Sequence, residues 1–359
     1  MKKTQLNKIH KKLGAKMSKF AGYEMPILYK SINYEHGNVR KNLGVFDVSH
    51  MGEFFIEGPK AYELLQKICS NDISKLSPGK AQYNYMPNLS GGVVDDLILY
   101  QLENEKYLMV VNASNIEKDW EWIKNINKNF NADLKDESNS YGLLSVQGPK
   151  AIEAMQKLTL FDLSSFNYYE HRTINFANID NVIVSKTGYT GSGGLELYAK
   201  NSNLESLWNN VMKVGKDFEI EPIGLAARDT LRLEMGYCLY GNELNENTSP
   251  IEAGLGWITK NQFNFINSNI LKKEILKKSI NKLIGFKLIE KGIPRKDYKI
   301  FNLKEQIIGK VTSGTQSPTL GIGIGMGYIK TSELMNTKTI LIGIRNKLIK
   351  AQISKVPFI

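Results

Sequence analysis

The sequence predicts an α+β chain in which two similar subdomains of mixed structure are followed by a small all-β domain, a barrel or a sandwich. Three observations carry this. A short apolar strand, a Gly-Pro pair and an amphipathic helical stretch occur in that order twice, at Phe54–Pro59 and at Leu144–Pro149. A β-meander separates the two copies. Beyond about residue 275, short strands alternate with Gly, Pro and Asn turns and helical periodicity nearly vanishes. The 359 residues allow two or three domains at about 150 residues each.

Residues 1–45 open with helical spacing and pass into a loop around Gly22–Pro26. After the first Gly-Pro pair, Ala61, Leu64, Leu65 and Ile68 recur at helical spacing; after the second, Ala151, Ile152, Met155 and Leu158 do so. Proline directly after a strand suits the first turn of such a helix. In the meander, Gln82–Met86 alternates, Leu89-Ser90-Gly91-Gly92 turns, Val93–Leu102 and Tyr107–Val111 read as strands, and Asn115–Phe130 reads as a helix with Trp120, Ile123 and Ile126 inward. Strands flank Gly188–Gly194 within residues 180–200, and residues 203–217 and 223–235 read as helices. The ladder Gly321, Gly323, Gly325, Gly327 has a strict period of two. It therefore lines one face of a strand that another backbone or sheet layer approaches closely, and it lacks the G-x-G-x-x-G spacing of a dinucleotide loop.

Composition excludes several classes. Hydrophobic residues make up 42% and charged residues 23%, a globular balance that rules out global disorder. Cys69 and Cys238 stand far apart and His10, His36, His50 and His171 form no ligand pair, so a disulfide scaffold and a Cys- or His-rich metal site are not expected. No stretch approaches 18 uncharged apolar residues, and the basic N-terminus has no apolar core of a signal peptide, so the chain reads as soluble, cytoplasmic and free of membrane. The net charge of +11 comes from lysine, because only Arg40, Arg172, Arg228, Arg232, Arg295 and Arg345 are arginines. Nucleic-acid readers recruit arginine for bidentate contacts, so this surplus does not point to a nucleic-acid face.

Five places carry candidate chemistry. Asp95 and Asp96 are adjacent in an apolar strand, so they point to opposite faces and at most one enters any cavity. Either both are solvated at a strand mouth, or one is held in an apolar cleft as acceptor or base. Val110 and Asn112 share a face, where Asn112 either caps a turn or reads a heterocycle edge. Glu196 shares a face with Tyr198; it is either an edge-strand surface acid or a bidentate partner for a guanidine-like edge. Arg228 and Arg232 are i,i+4 neighbours that repel unless an internal acid or a bound anion separates them. His50 has no acid, Cys or Ser partner at a diagnostic spacing and defaults to a hydrogen-bonded structural residue.

Taken together, these segments resemble one family, the glycine cleavage system T-protein or aminomethyltransferase family. The matching motifs are Gly44–Gly52, Gly91–Leu97, Gly188–Gly191, Ala227–Glu234, Ser249–Trp257 and Thr312–Leu320, in the family's order. The resemblance implies a three-domain cloverleaf, with two ferredoxin-like α+β domains and a C-terminal β-barrel. On this chain the first α+β domain takes residues 1–50 and 141–260, the second takes 51–140 and the barrel takes 275–359. The activity it implies moves the aminomethyl carbon from the lipoyl arm of H-protein to tetrahydrofolate, giving 5,10-methylenetetrahydrofolate and ammonia. Tetrahydrofolate is then a co-substrate, with no metal, flavin or nicotinamide, and the free chain is a monomer.

The resemblance also implies site residues. Asp96 matches the catalytic acid, Glu196 the acid that holds the pterin amino edge, and Arg228 the folate-contacting arginine. Met51, Tyr83, Val110, Asn112, Tyr189 and Tyr237 fall on positions that line the folate site. Arg295, in Gly292–Arg295, resembles a residue beside the lipoyl entrance, and the lysine surplus would steer an acidic carrier toward it. Two departures stand out: Ser192 replaces an acid after Gly188–Gly191, and Val356–Ile359 ends short of a folate-tail contact found in the family. Folate-binding relatives of iron–sulfur assembly carry a K-G-C-Y-x-G-Q-E motif, which Met235–Gly241 lacks. Flavin-dependent dimethylglycine and sarcosine oxidisers carry a long flavin domain for which this chain has no room.

Overall fold

The computed structural model describes residues 1–260, 262–277, 279–334 and 338–359. The chain forms two compact units. The first comprises Met1–Leu65, Ile73–Asn84 and Leu97–Asp229; the second comprises Gln66–Asp72, Tyr85–Asp96 and Thr230–Ile359. Mixed α+β structure ending in a closed β-barrel is the class that the sequence predicts.

The first unit is built around a six-stranded sheet with strand order His171–Phe176, Ile179–Ser185, Gly194–Lys200, Tyr141–Gln147, Leu43–Asp47 and Ile220–Pro222. All neighbours are antiparallel except the last pair, Leu43–Asp47 with Ile220–Pro222. Alternation divides its two faces. Val45, Leu144, Val146, Val182, Val184, Leu195 and Leu197 point one way, into a core with Ala151, Ala154 and Met155 of one helix and Leu204, Leu207, Trp208 and Val211 of another. Truncating a fully buried leucine such as Leu207 to alanine there costs about 2–5 kcal/mol. The residues between them point the other way. The register sets Ser185, Glu196, Ser145 and Phe46 in one row across four strands. This second face holds the polar candidates.

A five-stranded sheet has the order Lys80–Pro87, Val93–Glu103, Lys106–Val111, Gly52–Glu57 and Asp133–Asp136. The boundary between the units falls inside its first two strands. The helix Ile116–Asn127 covers one face, with the Trp120 ring tilted against Phe54 at 5.0 Å. Gly52 permits this approach, since a Cβ there would sit 2.7 Å from Ile116.

The segment expected to loop around Gly22–Pro26 is instead a hairpin, Lys16–Phe20 with Tyr23–Leu28. Ala21 and Gly22 both have positive φ, 46° and 83°, the geometry of a tight two-residue hairpin turn. Pro26 reads as a breaker, yet a two-stranded ribbon is all edge, so its missing N–H costs little.

In the second unit the barrel closes through Asn281–Leu288, Gly323–Lys330, Ile307–Gln316, Lys299–Phe301, Thr339–Ile344 and Lys347–Ser354, which returns to the first. Ile284, Phe286, Leu288, Ile300, Val311, Ile340 and Ile342 fill it. Of the glycine ladder, Gly323, Gly325 and Gly327 lie in a strand; Gly321 precedes it with φ +70°. A Cβ on Gly323 would stand 2.6 Å from the Gly292 carbonyl, and one on Gly327 would stand 2.6 Å from that of Lys310. Close backbone approach explains these glycines. Among the described residues, no helix is long and apolar enough to cross a membrane.

Candidate active site

In the first unit, Glu196 sits in the middle of the six-stranded sheet and is only 8% exposed. The edge-strand reading of this acid is therefore overturned, because strands flank it on both sides. Thr187 donates to its Oε2 at 2.6 Å. Arg228, on the helix Leu225–Glu234, lies over the ring of Tyr189 at 4.8 Å and that of Phe46 at 5.9 Å. Burial lowers the pKa of this guanidinium, while Glu196, Tyr189 and Tyr198 act to raise it. Its Nη1 is out of solvent and has no hydrogen-bond partner among the described residues. A buried guanidinium nitrogen without an acceptor is a costly group, and an anionic or carbonyl ligand would satisfy it.

The loop beside Tyr189 is held in several places. Thr190 Oγ1 donates to Gln147 Oε1 at 2.9 Å, and Arg40 Nη1 donates to Ser192 Oγ at 2.7 Å and to the Thr190 carbonyl. Ser192 thus has a polar anchor in Arg40. Gly188 has no room for a side chain, since a Cβ would stand 2.1 Å from Gln147 Oε1.

His50 is buried, and the edges of its contacts are aromatic, with Phe20 at 5.5 Å and Tyr23 at 6.3 Å. Its Nδ1 has no hydrogen bond among the described residues. Burial, opposed by Asp47 and reinforced by Arg228, brings its pKa down to about 4, so the ring is neutral at pH 7. Neighbouring Asp47 binds His10 Nε2 at 2.9 Å, Thr4 Oγ1 at 2.7 Å and the Ser49 amide at 3.0 Å. The acid of this motif is therefore a clamp on the N-terminal segment.

Met51, Tyr83 and Asn112 of the same unit are half-buried and Val110 is buried. Asn112 ends the strand Lys106–Val111 and makes no side-chain capping bond to the short helix that follows.

In the second unit, Asp95 is fully buried and Asp96 is half-buried. The reading in which both acids are solvated fails at Asp95. The burial follows from the turn before them. Gly92 lies against the Glu246 carbonyl, which a Cβ would approach to 1.8 Å, and Asn88 caps the turn through the Ser90 and Gly92 amides, both at 2.9 Å. Val93 then bonds the Asn245 carbonyl at 3.1 Å, and Tyr240 OH donates to the Val93 carbonyl at 3.1 Å. The strand mouth is covered. Burial, then Glu243, then Asp96 push the thiol of Cys238 well up, so it is an inert thiol at pH 7.

Arg232 settles the other half of the arginine pair. It is 1% exposed and bonds Glu243 at 2.9 Å, the Tyr237 carbonyl at 2.9 Å and Ser313 Oγ at 2.8 Å. Of the two i,i+4 arginines, Arg232 joins an ion-pair network and Arg228 keeps an unmatched nitrogen. Tyr237 and Arg295 of this unit are exposed. Among the described residues, no three His, Cys, Asp or Glu side chains gather as metal ligands.

The comparisons with known proteins cover the whole chain. Residues 6–262 match the GCVT N-terminal domain, and residues 281–359 match the glycine cleavage T-protein C-terminal barrel domain. The chain belongs to the glycine cleavage T-protein family. An aminomethyltransferase of Flavobacterium psychrophilum is 54% identical over 100% of this chain and 99% of its own. One of Bacteroides thetaiotaomicron is 52% identical with the same coverage. The crystal structure of the glycine cleavage system aminomethyltransferase T of Bartonella henselae superposes with a TM-score of 0.93 at 30% identity, covering 100% of this chain and 98% of that one. This T-protein family member is thus a glycine cleavage aminomethyltransferase, a transferase of one-carbon groups.

Three buried polar groups of the first unit escaped sequence reasoning. Glu53 is fully buried, and neither carboxyl oxygen has a partner among the described residues. Its strand partner is Val110. Ser145, between Glu196 and Phe46 in the row, is buried with an unpartnered hydroxyl. Tyr100 joins Thr187 and Tyr198 through its hydroxyl. Only the alternation Leu144-Ser145-Val146-Gln147 carried a signal, a polar residue at every second position of an otherwise apolar strand.

Proposed function

We propose that this family member takes the aminomethyl carbon from the lipoyl arm of H-protein and passes it to tetrahydrofolate. In the balanced reaction the carbon loses its bonds to sulfur and to the amine nitrogen and gains bonds to two folate nitrogens. The two N–H protons of the folate leave on ammonia and on the dihydrolipoyl thiol.

The single observation that carries the reading is Arg228: a half-buried side chain whose guanidinium Nη1 is out of solvent without an acceptor among the described residues, electrostatically coupled to Glu196 and lying over an aromatic ring. A ligand that offers an acceptor to Arg228, a planar face to aromatic side chains and N–H donors to Glu196 satisfies all three. A pterin has those properties. Glu196 holds its amino edge, as a carboxylate holds a fork of two donors. Met51, Tyr83, Val110, Asn112, Tyr189 and Tyr237 line the folate site.

Asp96 is the acid–base group. A carboxylate that accepts a hydrogen bond from the attacking folate amine orients it and raises its nucleophilicity, worth about 10²–10⁴-fold in rate. Holding the amine against the lipoyl carbon adds an entropic advantage. Arg295 and the lysine surplus receive the carrier. Salt should then raise KM for H-protein, because screening weakens steering.

The deciding experiment mixes the chain with aminomethylated H-protein and tetrahydrofolate and follows ammonia and 5,10-methylenetetrahydrofolate. Both products should appear together and only when folate is present. Ammonia release that ignores folate would defeat the reading.

A further inference from the structure

Four buried groups of the first unit make a continuous hydrogen-bonded chain. Thr187 Oγ1 lies 2.6 Å from Glu196 Oε2, Tyr100 OH lies 3.2 Å from Thr187 Oγ1, and Tyr198 OH lies 2.9 Å from Tyr100 OH. Ser185 Oγ stands 3.1 Å from Thr187 Oγ1 on its other side. Thr187 is 7% exposed, Tyr100 0% and Tyr198 1%, so water does not compete for these groups.

Chemistry fixes the direction of the protons. A carboxylate has no proton to give, so Thr187 donates its only proton to Glu196, and the 2.6 Å separation is that of a charge-assisted bond. Thr187 then accepts from Tyr100, and Tyr100 accepts from Tyr198. Hydroxyls aligned head to tail in this way polarise one another in a low-dielectric interior. The phenols stay donors at any working pH: burial first, then Glu196, raises Tyr100, and burial first, then Tyr100, raises Tyr198. The rings are themselves fixed, edge to face at 5.6 Å with each other, and Tyr100 at 5.4 Å with His171. His171 is anchored through Nε2 to the Gln101 carbonyl at 3.0 Å.

The chain therefore ties the six-stranded sheet, which carries Glu196 and Tyr198, to the strand Val93–Glu103, which carries Tyr100. We infer that Thr187, Tyr100 and Tyr198 are positioning residues that lock the plane of the Glu196 carboxylate and so make the site selective for a ligand edge bearing two N–H donors. The inference rests on the reading that Glu196 receives the pterin amino edge. Without the chain, the carboxylate would turn about its last torsion and would pay orientation entropy on each binding event.

The test compares Thr187→Val, Thr187→Ser and Tyr100→Phe with the parent chain. Each is titrated calorimetrically with 5-formyltetrahydrofolate and with the analogue that lacks the pterin amino group, and each is assayed for KM and kcat with tetrahydrofolate. Thr187→Val should bind the complete ligand about tenfold more weakly and the amino-less analogue as the parent does. Thr187→Ser, which keeps the donor, should restore binding, whereas in Thr187→Val KM should rise while kcat stays within about twofold. Equal loss for both ligands, or no loss for either, overturns the inference. Tyr100→Phe deletes a single oxygen and carries the same comparison if Thr187→Val does not fold. If the parent chain itself binds no 5-formyltetrahydrofolate, the folate reading falls and takes this inference with it.

Discussion

Arg232 Nη1 lies 2.9 Å from Glu243 Oε2, and neither side chain reaches water. Arg232 also donates to the Tyr237 carbonyl and to Ser313 Oγ. Glu243 also accepts from the Leu239 amide at 2.9 Å and from Thr312 Oγ1 at 2.6 Å. Removing one member leaves the other charge buried. Glu243→Gln should therefore cost about 3–5 kcal/mol of stability, read as a lowered urea midpoint with unchanged slope. A midpoint close to the parent's would mean that the network, not the pair, neutralises Arg232.

Glu53 should make stability fall as pH rises. Burial, with Asp136 adding repulsion, raises its pKa well above the ordinary 4.5. The folded chain binds this proton more tightly than the unfolded chain, so the stabilisation is complete below the unfolded pKa. It declines by about 1.4 kcal/mol per pH unit above it, until the folded pKa is passed. Glu53→Gln removes the titration. The variant should gain on the parent between about pH 5 and about pH 7 in urea unfolding. A difference that stays constant with pH would show that Glu53 is not held protonated.

Arg228 should trade stability for binding. Its Nη1 is out of solvent and unmatched among the described residues, a state that costs the empty protein. Arg228→Met keeps the bulk and removes the charge, so it should raise the melting temperature while weakening folate affinity about tenfold or more. Arg228→Lys should not rescue affinity, because an ammonium lacks the planar fork that lies over Tyr189. If Arg228→Met lowered the melting temperature, the nitrogen would have to be satisfied in the free protein.

The parts of this site that the sequence shows are those written in one strand or one helix. Glu196 is visible because Leu195 and Leu197 flank it and alternation aims it away from the core. The arginine pair is visible because four residues put both on one helical face, although only the fold decides that Arg232 pairs with Glu243 while Arg228 Nη1 has no hydrogen-bond partner among the described residues. Tyr100 and Thr187 are 87 residues apart, one in the strand Val93–Glu103 and the other in the loop after Ile179–Ser185, so no local pattern marks their bond. Glu53 was hidden for another reason: Gly52-Glu53-Phe54 reads as ordinary in–out alternation, and the second covered face of that strand is a tertiary fact. The hairpin at Tyr23–Leu28 escaped because Pro26 masked an edge strand.

Asp95 and Asp96 should separate folding from chemistry. The strand sends them to opposite faces, and burial already distinguishes them, since Asp95 has no exposed surface while Asp96 is half-buried. Asparagine at either position keeps shape and removes charge. At Asp96 it removes the acceptor that orients the folate amine, so kcat should fall by about 10²–10⁴-fold while folate affinity and the melting temperature stay near the parent's. At Asp95 it adds amide donors to a closed interior, so the main effect should be a loss of about 1–3 kcal/mol of stability, with kcat of the folded fraction little changed. The two variants need the same pair of measurements, thermal unfolding and single-turnover ammonia release. An Asp96→Asn enzyme with full turnover would remove the acid–base role. An Asp95→Asn enzyme that is stable but inactive would assign that role to the buried member instead.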